Sequence, residues 1–60
     1  MTILDLYALC ENMSQYTVFH IHECGVKITE ATYGDYPNRY ALSKIKGFKH
    51  VEPNLWDIFY

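Results

Sequence analysis

Sixty residues with a formal net charge of −2 make one small domain, in which folding hides only about 60% of the surface the unfolded chain exposes. Half of the residues are hydrophobic and a fifth are charged, which excludes a disordered tail and a low-complexity chain. The sparse, mixed charge argues against nucleic acid as the partner, because phosphate contacts need a concentrated basic surface.

Ten residues are aromatic, six of them Tyr. Each buried ring removes roughly 150–250 Å² from water, so the set partly offsets the small size and leaves some rings for the surface. Cys10 and Cys24 are the only cysteines, too few for a disulfide-stapled secreted mini-domain. The opening Met1-Thr2-Ile3-Leu4-Asp5 has no basic segment of the kind that begins a signal peptide. No stretch approaches the ~20 apolar residues of a membrane span. These features predict a cytoplasmic chain with both thiols reduced. Charge is uneven: residues 1–36 sum to −4 and residues 37–60 to +2.

Along the chain, Thr2 and Asp5 have capping-box spacing. Ile3, Leu6, Tyr7 and Cys10 then fall on one helical face, which predicts a helix over 3–12. From Tyr16 to His22 the residues are β-branched, aromatic or His, which favours a strand. Its two faces are Thr17, Phe19 and Ile21 on one side, and Tyr16, Val18, His20 and His22 on the other. Glu23-Cys24-Gly25 is a turn, with Gly where a positive φ is needed. Val26 to Ala31 pairs back as a second strand. Tyr33-Gly34-Asp35-Tyr36-Pro37-Asn38 is the clearest break, and Pro37 to Tyr40 suits a single helical turn. Ile45 to Glu52 reads as a third strand with a kink or bulge at Gly47. A turn at Pro53-Asn54 leads to a last strand over 55–60. The fold class expected is α+β, one N-terminal helix packed on a four-stranded antiparallel meander (α-β-β-β-β). One helix covers one face of such a sheet, which leaves apolar area exposed on the other. The last strand falls at an edge, without the Lys or Pro that blunts one.

Three groups of side chains are candidates for chemistry or contact. His20, His22 and Cys24 alternate, and on an extended strand would offer imidazole and thiolate ligands roughly 7 Å apart, suited to part of a zinc site. Tyr33, Tyr36 and Tyr40 around the Gly34–Pro37 loop, with Trp56, supply rigid amphipathic area for a protein partner. Lys44, Lys46 and Lys49, with Phe48 and His50, form a basic-aromatic run that would hold phosphates only weakly in an acidic protein. There is no Ser/His/Asp arrangement, phosphate-cradling glycine loop or paired-carboxylate motif, so no enzymatic activity and no cofactor are expected. The exposed aromatic surface predicts a protein partner or self-association, including a homodimer.

The order of features resembles the very small proteins encoded by phages and prophages of Gram-positive bacteria. The matching segments are the helix Thr2-Ile3-Leu4-Asp5-Leu6-Tyr7, the hairpin after it, the Pro37-Asn38-Arg39-Tyr40 turn and the closing Asn54-Leu55-Trp56-Asp57-Ile58-Phe59. The likeness is one of layout and transfers no site residue. It implies a non-catalytic protein-binding module, such as an inhibitor that occludes a host defence enzyme like a CRISPR effector nuclease. The alternatives are an oligomeric sponge for signalling nucleotides and a small zinc-binding structural protein using His20, His22 and Cys24.

Overall fold

A computed structural model describes residues 1–60. The elements run α1 (Ile3–Leu9), β1 (Val18–Glu23), β2 (Val26–Thr32), α2 (Asn38–Ala41), β3 (Gly47–Glu52) and β4 (Leu55–Phe59). The capping box forms: Thr2 Oγ1 accepts the Asp5 N–H at 3.4 Å, and Asp5 Oδ2 accepts the Thr2 N–H at 2.9 Å. That second bond holds the Asp5 carboxyl below its usual range. α1 ends earlier than its apolar stripe suggests, because Cys10 turns extended (φ −110°, ψ 106°). The chain then curls through residues 11–17, with the Ser14 N–H donating to Thr17 Oγ1 at 2.9 Å. This loop carries Met13 and Thr17 into the interior. Leu4 and Leu9, which widen the stripe in sequence, lie exposed.

The sheet is not the expected antiparallel meander. Its order is β2-β1-β4-β3. β1 pairs with β2 and β3 with β4 antiparallel, as two hairpins, while β1 and β4 lie side by side in parallel. Parallel neighbours need a long crossover, and residues 24–54 supply it, with α2 over the helical side. The physical reason is apolar content. β1 and β4 carry Val18, Phe19 and Ile21, and Leu55, Trp56, Ile58 and Phe59, whereas β2 and β3 carry Lys27, Thr29, Glu30, Lys49 and Glu52. A meander would put the polar strands in the middle and the apolar ones at the edges; the observed order does the reverse. β4 is therefore central, and the edges are β2 and β3.

Both helices pack on the same side of the sheet. Ile3 and Leu6 of α1 and Tyr40 of α2 meet Phe19, Ile21, Trp56 and Ile58 in one core with Met13 and Tyr36. Phe19 sits at the centre, with the Tyr36 ring edge-on at 5.5 Å. Tyr7 and Tyr33 stack at 4.0 Å over the flank of the core. At one end of the sheet the Tyr36 and Tyr60 hydroxyls share a 2.8 Å hydrogen bond, and the Tyr40 hydroxyl donates to Glu23 at 2.8 Å. Burial first, and then the bond to Tyr60, pushes the Tyr36 phenol well above its ordinary pKa. No buried side-chain nitrogen or oxygen lacks a partner, and no helix is long and apolar enough to cross a membrane.

Each edge strand carries one extra residue. On β2, Thr29 faces Ile21 and Lys27 faces His22, so Ile28 is the additional residue. On β3, His50 faces Trp56 and Glu52 faces Leu55, so Val51 is. The bulge expected at Gly47 thus lies four residues on, and Gly47 opens the strand opposite Phe59.

Candidate functional site

The side of the sheet away from the helices carries a connected set of polar side chains. Strand alternation sends Phe19 and Ile21 into the core and therefore sends Val18, His20 and His22 to the other face. The parallel register brings Leu55, Asp57 and Phe59 of β4 beside them. Asp57 lies directly across from His20 and diagonal to His22. Its Oδ1 is 3.7 Å from His20 Nδ1 and 3.3 Å from His22 Nε2. On the other flank His20 Nε2 lies 3.1 Å from Glu30 Oε2, and Lys27 Nζ reaches the same carboxylate oxygen at 3.3 Å. The Ile28 bulge makes this possible, because it brings Lys27 and Glu30, three apart, to one face. Lys49 of β3 stands opposite Asp57. The His22 ring lies against Phe59, centroids 4.7 Å apart.

Both ring nitrogens of His20 thus face carboxylates. His20, His22 and Asp57 are each about one-fifth to one-quarter exposed (27%, 18% and 22%), so they sit in a shallow, half-dry layer where polar contacts are worth more than at a free surface.

The structure places the sequence candidates differently from one another. His20 and His22 share this face, but Cys24 does not join them. The strand ends at Glu23, and Cys24 occupies the turn at φ +54°, exposed. No three His, Cys, Asp or Glu side chains are arranged to hold a metal ion. Of the aromatic set, Tyr36, Tyr40 and Trp56 are core residues less than a tenth exposed. Tyr33 is half-buried against Tyr7, so of the four rings it alone keeps appreciable area at the surface. Their aromatic area is what a 60-residue chain has available to fill its interior. Lys44 and Lys46 lie in the α2–β3 connection and Lys49 on the open face, so the basic run is divided between two settings.

Sequence reasoning missed Asp57 and Glu30 as partners of the two histidines. No local pattern links residues 20, 30 and 57; only the β2-β1-β4 order does. It also missed a cleft of about 230 Å³ where the α1–β1 loop meets the β3–β4 hairpin, lined by Cys10, Glu11, Asn12, Met13, His50, Pro53 and Trp56. There His50 lies flat on the indole of Trp56, centroids 4.3 Å apart and planes 9° apart.

No family model, curated protein or solved structure matches the chain.

Proposed function

We propose that this protein is a non-catalytic protein-binding module that engages its partner through the open face of the sheet. The observation that carries the reading is the placement of both helices on one side. The opposite side, with Val18, Leu55 and Phe59 around the His20–His22–Asp57–Glu30 cluster, is left without a covering element. A half-apolar layer surrounding a pre-paired charge cluster has the make-up of an interface: apolar area supplies affinity and fixed charges set orientation. The layout resemblance adds the expectation that the partner is a host defence enzyme blocked by occlusion; the surface itself names no enzyme.

A photo-crosslinking residue placed in turn at Lys49 and Val18 on the open face, and at Leu4 and Asp5 on the helical side, tests the reading in extracts of the source cell. Crosslinks to one foreign protein from the open-face positions alone would support it. Adducts confined to the helical side, or only to further copies of the chain, would overturn it.

A further inference from the structure

The cleft between the α1–β1 loop and the β3–β4 hairpin lies on a different side of the molecule from the open sheet face, and its chemistry is distinct. Its floor is apolar, formed by the buried Met13 and Trp56. One wall is the flat imidazole of His50, exposed and held to the protein only by the stack on Trp56 and a 3.4 Å contact to the Pro53 carbonyl. The rim carries the carboxylate of Glu11 and the amide of Asn12, both exposed. Every ion pair of the chain uses Glu30 or Asp57, so the Glu11 charge has no internal partner. It lies in the half of the sequence that sums to −4.

We infer that this cleft is a receptor for a guanidinium group, from an arginine side chain of a protein or from a small guanidine compound. Three properties select that chemistry. The cleft offers a flat aromatic wall, and a guanidinium is a planar cation that stacks on aromatic faces, whereas an ammonium is a compact, strongly hydrated point charge. It offers a free carboxylate, which a guanidinium can meet with two parallel N–H donors. At about 230 Å³ it is larger than the ~150 Å³ cavity that accepts benzene, and so has room for one planar group with its aliphatic stem over Met13. An anionic ligand is disfavoured by Glu11, and an uncharged ring gains nothing from it.

Titration of the ¹⁵N-labelled full chain with N-acetyl-arginine amide, followed by amide and indole N–H shifts, tests the inference. The probe is expected to move the Trp56 indole signal and the amides of residues 10–13 and 50 together. The lysine analogue should bind about tenfold more weakly, since it cannot stack or fork. Glu11→Gln, an exposed substitution that leaves the core untouched, should weaken the arginine probe about two- to fivefold. An arginine-containing peptide that binds more tightly than the free amide assigns the cleft to a protein partner; equal binding assigns it to a small guanidine. No coherent shift at these positions, equal binding of the lysine analogue, or an unchanged affinity in Glu11→Gln would each overturn the inference. None of these results depends on the open-face reading.

Discussion

The strand order can be tested by comparing two residues that are register neighbours on the helical face, Ile58 of β4 and Phe48 of β3. In the observed sheet Ile58 belongs to a central strand and is fully buried, whereas Phe48 lies on an edge and is 48% exposed. Ile58→Ala removes buried atoms and leaves a closed cavity, so the loss is the transfer term plus the cavity term, about 3–4 kcal/mol. Phe48→Ala opens no sealed cavity and forfeits only about half of a buried ring's transfer energy, about 1 kcal/mol. A domain of this length has roughly 3–9 kcal/mol in total. Ile58→Ala should therefore bring the chain close to unfolding, with a Tm lower by about 12–32 °C, and Phe48→Ala should lower it by about 4–8 °C. Urea unfolding at low temperature, read by the fluorescence of the single Trp and by far-UV circular dichroism, gives both values from the midpoints if the slopes agree. In a meander β3 would be interior and β4 an edge, and the ranking would invert. A Phe48→Ala loss equal to or larger than that of Ile58→Ala would refute the two-hairpin order.

Other outcomes follow from the turn, the cap and the tyrosines. Cys24 is a non-glycine residue at φ +54° followed by Gly25 at +81°, so Cys24→Asn, which creates the favoured Asn-Gly pair, should raise stability by about 0.5–1 kcal/mol; Gly25→Ala should lose about 1 kcal/mol. Thermal melts of both variants check the sign. Thr2→Ala removes the N-cap acceptor and should cost about 1 kcal/mol, visible as lower helical content in circular dichroism before the main transition. Burial holds the Tyr36 and Tyr60 phenols above their ordinary value. Groups shifted upward in this way contribute stability that is complete below the unfolded value, about pH 10, and is lost as pH rises beyond it. Alkaline titration monitored at the tyrosinate absorbance should therefore show unfolding above about pH 10. Tyr36→Phe should cost about 1 kcal/mol at neutral pH for the lost hydrogen bond while moving the alkaline onset upward.

The elements were largely legible in the sequence because each rests on local chemistry. The Thr2–Asp5 cap, the period of Ile3, Leu6, Tyr7 and Cys10, the β-branched run before Cys24-Gly25 and the Pro37 turn all act within a few residues. The sheet order is not local: strands adjacent in sequence, β2 and β3, lie at opposite edges of the sheet. The information was nonetheless present: strands with apolar residues on both faces, such as Val18-Phe19-His20-Ile21 and Leu55-Trp56-Asp57-Ile58-Phe59, belong in the interior of a sheet. The tyrosines were misplaced for a related reason. Tyr36 and Tyr40 sit beside turn residues and look like loop decoration, but their hydroxyls find Tyr60 and Glu23 at the end of the sheet, which lets the rings go inward. The open-face cluster follows from the strand order, since Asp57 reaches His20 and His22 only when β4 lies beside β1.

The two bulges bear on how such a surface is used. An edge strand with free N–H and C=O groups invites another strand to pair with it, and a bulge interrupts that regular row. Here both outer strands are interrupted, at Ile28 and Val51, and both extra residues are exposed aliphatics at 47% and 46%. The β2 bulge does a second thing: it turns Lys27 onto the same face as Glu30, where the pair closes the flank of the histidine cluster. One inserted residue thus weakens strand addition at the edge and completes a charge pattern on the face. A sheet built this way discourages contact through its backbone and presents side chains instead, which favours recognition of a shaped, charged partner surface over templated growth of the sheet.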